Sequence, residues 1–258
     1  MIPKLLLVIE SHIDVTISCL VFVHQCAEYQ SRRGEEKRKE TERRAALLKR
    51  EPEDITPPNK GNFVWSQSSD IDKFESEWSM KPVSVKGIFD HTRELMVEKV
   101  RNGEKGVDVI TPFYTHLDAA GKEQAILVNR GFVPLDLKDQ RLHYTNDTMG
   151  TIRGILYRGD TLNKYSKPNS PTIGSYQTVR PEEAALISQL PNRDEASQVM
   201  LHMVDFEEDR RQLLPNIPTS SQLQSFIVGA ERHEAYERMW RAIAFGGVIA
   251  NTALWLCF

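Results

Sequence analysis

The sequence predicts a membrane protein: two transmembrane helices flanking a β-rich, α+β extramembrane domain built as an antiparallel sheet or small barrel. Three observations predict it. From Ala242 to Phe258 the chain carries no charge. Near its start, Leu5 to Ala27 is largely apolar. Between Phe63 and Val228, apolar residues recur with period two in short runs bounded by turn residues, the signature of half-buried strands.

The elements follow in order. Residues 5–27, "LLLVIESHIDVTISCLVFVHQCA", are expected as transmembrane helix 1. Glu10, His12, Asp14 and His24 interrupt the stretch and would have to face protein rather than lipid, because a charge near mid-bilayer costs a few kcal/mol at least. A lone amphipathic or soluble helix is the competing reading. At the start there is neither a signal peptide with a small-residue cleavage site nor an Arg-rich transit peptide. The chain is therefore expected to be a mature product or to use its first apolar segment as an uncleaved address.

Residues 28–56 are expected as a charged helical linker, with nine Lys or Arg and four Glu between Ser31 and Arg50 and Gly34 as the one breaker. A solvated, salt-bridged helix explains this composition, and a basic patch for anionic headgroups is the sharper alternative. The prolines of "EPEDITPPNKGN" place a boundary near Pro57.

Residues 57–229 form the β-rich domain. Strands are expected at "PVSVKGIF", "ELMVEKV", "GVDVITPF", "QAILVNRGFVP", "GTIRGILYRG", "QVMLHMVDF" and "LQSFIVG". One helix is expected at "RPEEAALISQL", where Pro181 suits the first turn and Glu182 and Glu183 complement the positive helix end. Residues 230–258 are a helix entering transmembrane helix 2. Trp240 and Trp255 would sit roughly 22 Å apart along its axis, one near each interface, with Arg241 reaching outward. A buried C-terminal core helix is the competing reading.

Composition narrows the function. The net charge of -3 implies neither nucleic acid nor an acidic surface as partner. The three cysteines, Cys19, Cys26 and Cys257, lack Cys-x-x-Cys spacing, which argues against a disulfide scaffold and a thiolate metal carrier. No phosphate loop, nucleophile elbow or His-Glu-x-x-His helix occurs. His91 sits beside Asp90, which could orient an imidazole as base or ligand, although a polar turn explains the pair as well. Arg130, with Asn129 before it, could hold a carboxylate bidentately, although a bulge permitted by Gly131 is the structural alternative. His202 reads as a satisfied core histidine. No constellation supports an enzyme.

On these residues the chain resembles the Surfeit locus protein 1 family, assembly factors for cytochrome c oxidase. "YQSRR" is similar to the family's Trp-Gln followed by basic residues, with Tyr29 in place of the Trp. "KPVSVKGIFDHTRELMV" resembles its first strand pair, and "VITPF" and "ILVNRGFVP" match its most specific segments. His233, Tyr236 and Trp240 reproduce the spacing His-x-x-Tyr-x-x-x-Trp at the family's second span.

The resemblance implies a mitochondrial inner-membrane protein with its β-rich domain facing the intermembrane space, although the basic run after residue 27 points the other way by the positive-inside rule. It implies a non-enzymatic factor that holds or hands over haem a, with the oxidase catalytic subunit and the lipid bilayer as partners. It also implies His233 as haem-iron ligand, flanked by Tyr236 and Trp240, with Asp90, His91, Asn129, Arg130 and Gly131 as further motif positions. On a helix, His233, Trp240 and Asn251 share one face with Ala244 and Gly247 close by, a stripe that equally suits helix packing. Arg241 follows Trp240 where the family usually has an aromatic residue and then a glycine. A permanent structural subunit of the oxidase, or of a respiratory supercomplex, without cofactor is the alternative function.

Overall fold

The computed structural model describes residues 2–57, 63, 65, 74, 77–117, 123–140, 149–207 and 214–256. The chain forms two compact units, one made of Met1–Ala45 with Gln224–Phe258 and one of Ala46–Leu223.

The first unit is a helical pair. α1 runs over Ile2–Leu48 and the last helix, α5, over Ala230–Leu256; α2 to α4 belong to the chain between them. α1 and α5 run antiparallel, as the order of their contacts shows. Phe22 meets Trp240 edge-on with ring centroids 6.4 Å apart. Arg241 reaches Glu28 at 3.3 Å. Gln30 bonds His233 and Arg38 pairs with Glu234. Helix α1 passes through Gly34 without a break, and a Cβ built there would stand 3.4 Å from that of His233, which marks a close contact of the two helices. The charged run of α1 is laced by local pairs such as Lys39–Glu35 at 2.6 Å and Arg44–Glu40 at 3.0 Å.

This corrects the expected fold class. Among the described residues, no helix is long and apolar enough to cross a membrane. In α5 the first half, Ala230–Arg241, carries the charges, among them Arg241 paired with Glu237, and the apolar residues follow. In α1 charge returns at Glu28 and continues to the helix end. Glu10, His12 and Asp14 have side chains outside the described residues.

The second unit is a small barrel. Its strands are β1 Glu53–Asp54, β2 Pro82–Phe89, β3 Leu95–Arg101, β4 Glu104–Leu117, β5 Glu123–Pro134, β6 Gly150–Tyr157 and β7 Met200–Met203. The sheet order is β1-β2-β6-β7-β5-β4-β3, and a further β2–β4 pairing closes β2, β6, β7, β5 and β4 into a ring. All pairs within the ring are antiparallel except β5–β7. Closure occurs where Gly87 pairs Gly150 on β6 and the next residue, Ile88, pairs Tyr114 on β4. A Cβ at Gly87 would stand 2.2 Å from the Tyr114 carbonyl oxygen, so only glycine lets the two backbones approach at this corner.

Strand register explains the core. Val83 and Val85 of β2, Phe113 of β4, Ile126 and Val128 of β5, Ile152 and Leu156 of β6 and Leu201 of β7 all point to one side and form a single cluster. Phe63, Trp65 and Phe74 complete it, with Trp65 stacked on Phe63 at 4.5 Å and its indole N–H donating to the Glu195 carbonyl. The alternate residues Ala125, Leu127, Ile110 and Met200 face outward under helices α2, Pro181–Ile187, and α3, Arg193–Ala196. Covering on both faces is why β5 is buried from Gln124 to Pro134 without alternation.

One expected strand is absent. "LQSFIVG" instead overlaps a short helix, α4, Ser220–Gln224. Thr219 Oγ1 accepts from the Gln222 N–H while Gln222 Oε1 accepts from the Thr219 N–H, a reciprocal capping box that favours a helical turn over an extended run.

Candidate functional site

The two groups of motif residues belong to separate units. In the barrel, Asp90 does not orient His91. Its carboxylate accepts from the Thr92 N–H at 3.0 Å and pairs with Arg93 at 3.4 Å, capping the 3-10 turn His91–Arg93 between β2 and β3. His91 turns instead to Arg130, whose Nη1 donates to His91 Nδ1 at 3.2 Å. A guanidinium only donates, so the ring nitrogen facing it is the acceptor. The same Nη1 donates to Glu94 Oε2 at 3.1 Å, and Thr111 Oγ1 donates to that oxygen at 3.0 Å. Arg130 and Glu94 are 7% and 4% exposed, so this is a buried ion pair. The Phe89 ring lies 5.0 Å from the guanidinium carbon.

Asn129 and Gly131 shape the strand that carries Arg130. Between the pairs Asp108–Phe132 and Ile110–Asn129, β5 holds one residue more than β4, a bulge. Gly131 takes φ +123°, and Asn129 Oδ1 accepts the Gly131 N–H at 3.0 Å. The bulge turns successive side chains apart: Arg130 joins Glu94 and His91, while Asn129 Nδ2 donates to Asp108 and to the Tyr157 phenol oxygen, each at 3.3 Å. Arg101 Nη2 donates to both carboxylate oxygens of Asp108 at 2.8 Å. Burial pushes the Tyr157 phenol well above its ordinary value. Burial, and then the Arg101 charge, pull His202 down to about 4. His202 was expected to be satisfied; among the described residues its buried Nε2 has no hydrogen-bond partner.

In the helical unit, His233 Nδ1 and Gln30 Oε1 are 2.8 Å apart. Trp240 packs on Phe22, and Tyr236 is exposed on the flank of α5. The stripe through His233 and Trp240 therefore faces α1. Among the described residues, nothing stands within 4 Å of a Cβ built at Gly246 or Gly247, about two turns beyond Trp240. In donor chemistry His233 and Trp240 fit a porphyrin: one imidazole whose second ring nitrogen lies outside the Gln30 bond, and a neighbouring indole. The Asn251 side chain lies outside the described residues. Among the described residues, no group of three or more His, Cys, Asp and Glu could hold a metal ion.

Sequence reasoning overlooked Glu94, Asp108 and Gln30 as partners. Asp108 sits inside the apolar run "GVDVITPF", where a charge in a buried strand demands a counter-charge; that signal was readable. Glu94 and Gln30 stand in polar surroundings and carried no such signal.

Comparison with known proteins adds kinship. The SURF1 family model matches residues 20–245. Surfeit locus protein 1 of Xenopus tropicalis is 24% identical over 197 residues, covering 69% of this chain and 57% of that protein. Surfeit locus protein 1 of Mus musculus is 33% identical over 108 residues, covering 35% of this chain and 34% of that protein. The chain thus spans little more than half the length of the frog protein.

Proposed function

We propose, from the premise that this chain belongs to the SURF1 family, that it assembles or stabilises cytochrome c oxidase at the mitochondrial inner membrane. The carrying observation is the extent of the family match, from residue 20 to residue 245, through both the helical and the barrel unit. The test is deletion of the protein followed by a native gel of respiratory complexes. Loss of assembled oxidase, restored by the wild-type chain, is expected; unchanged oxidase refutes the reading.

The finer reading is that His233, with Tyr236 and Trp240 beside it, contacts haem a on its way to the catalytic subunit. It is supported by the geometry of His233, whose Nδ1 is engaged by Gln30 and whose Nε2 is the ring atom left to face iron. When bound, haem a supplies an iron centre that requires an axial base. The chain's residues would hold and orient that group, and no chemical step is assigned to them. Purified protein supplied with haem a is expected to show a haem absorbance spectrum that His233→Ala loses. Absence of haem from the wild type overturns this reading.

The second reading is a resident subunit that binds no cofactor. It is favoured by the edge contact of Trp240 with Phe22, which uses the aromatic of the stripe for helix packing. One-to-one co-purification with fully active oxidase is the outcome that would select it.

A further inference from the structure

The shortest contact between α1 and α5 that involves a histidine joins two sequence motifs 203 positions apart, Gln30 of "YQSRR" and His233 of "RHEAYERMW". We propose that Gln30 is a positioning residue for His233: its side-chain carbonyl holds the proton on Nδ1 and presents Nε2 as the ligating nitrogen. This rests on the haem reading of His233 given above.

Three features carry the inference. The first is chemical. A carboxamide oxygen 2.8 Å from Nδ1 accepts a hydrogen bond, which requires the proton on that nitrogen and leaves the lone pair on Nε2. Metal-ligating histidines nearly always give their other N–H to such an acceptor, which fixes tautomer and ring plane.

The second is mechanical. Ion pairs bracket the bond, Arg241 with Glu28 before it along α1 and Arg38 with Glu234 after it. Each is exposed and weak alone. Placed on both sides of Gln30, they set the register of the two helices so that the carboxamide and imidazole meet. At Gly34, one turn from Gln30, a built Cβ would stand 3.4 Å from the His233 Cβ, so α1 and α5 are in close contact beside the bond.

The third is economy of explanation. Gln30 is half-buried at the helix contact, and helix pairing there is already served by the ion pairs, the Phe22–Trp240 contact and the close approach at Gly34. A neutral amide aimed at one ring nitrogen adds orientation, which a packing role does not need.

The test uses the full chain purified in mild detergent, with the imidazole nitrogens observed by nitrogen-15 NMR and ferric haem a titrated by absorbance. Wild type is expected to show His233 with the proton on Nδ1. Gln30→Met, of similar length but without the acceptor, is expected to give a mixture of tautomers and to weaken haem a binding roughly 10- to 100-fold. Gln30→Glu, which restores an acceptor, is expected to recover the Nδ1–H tautomer and most of the affinity. A wild-type His233 protonated on Nε2 overturns the proposal, whether or not the variants fold. So does a folded Gln30→Met with unchanged tautomer and affinity. If the wild type takes up no haem a, or His233→Ala binds it equally, the haem reading fails. The tautomer spectra then still report separately whether Gln30 orients the ring.

Discussion

Replacing Arg130 with methionine tests the buried pair at the centre of the barrel cluster. The substitution keeps much of the side chain's length and removes the charge, leaving Glu94, 4% exposed, without a guanidinium that stood 3.1 Å away. At an effective dielectric of about 20, two unit charges at that separation attract by roughly 5 kcal/mol, and desolvation has already consumed much of that gain. The loss is therefore governed by a buried carboxylate that keeps the Thr111 hydrogen bond but loses its counter-charge, about 3–5 kcal/mol. For a unit of this size each kcal/mol moves the midpoint by about 2–4 °C, so Tm falls by roughly 6–20 °C. Arg130→Met combined with Glu94→Leu removes both charges and is expected to regain most of the stability, which an isothermal denaturant cycle reads as a coupling of about 2–4 kcal/mol. Arg130→Lys falls between, because it keeps the charge but loses the flat guanidinium whose carbon lies 5.0 Å from the Phe89 ring. A single-variant loss under ~1 kcal/mol, or an additive cycle, refutes the buried-pair argument.

Gly131→Ala forces a side chain into φ +123° and within 2.4 Å of the Asn216 carbonyl oxygen, and denaturant titration is expected to show a loss of at least ~1–3 kcal/mol. His202, with a folded value of about 4 against 6.5, stabilises the barrel above pH 6.5, and this is lost as pH falls through 4. In stability curves, His202→Gln is expected to flatten that acid limb. Tyr157 has the opposite sense: its raised value gives stability that is complete below about pH 10 and lost above it. Spectrophotometric titration should find the same number of phenols in the first ionisation step of the wild type and of Tyr157→Phe. Phe226→Ala removes a ring lying 3.7 Å from Lys37 Nζ and 4.1 Å from Arg44 Cζ, and is expected to cost about 1–2 kcal/mol in hydrogen exchange of the helical pair.

Period two marked the strands because a pleated chain covered on one face must alternate; "PVSVKGIF" coincides with β2 and "GTIRGILYRG" contains β6. "RPEEAALISQL" was legible as a helix because Pro181 and two glutamates are local start signals. The kinship was legible too, since "ILVNRGFVP" and the His-Tyr-Trp spacing are contiguous strings. Hydropathy read an uncharged run at the carboxyl end as a span, whereas among the described residues no helix is long and apolar enough to cross a membrane. Local capping overruled the apolar pattern of "LQSFIVG" in the same way.

Sequence by itself therefore determined the β-rich core, its principal strands and the family. Only tertiary structure decided that the sheet closes through β2 and β4, that Arg130 pairs with Glu94, and that Gln30 faces His233. Alternation and caps act between residues a few positions apart and leave a periodic trace in the string. Ring closure, a buried ion pair and a bond between two helices join residues that only folding brings within reach, and the free energy that selects them lies in burial and geometry.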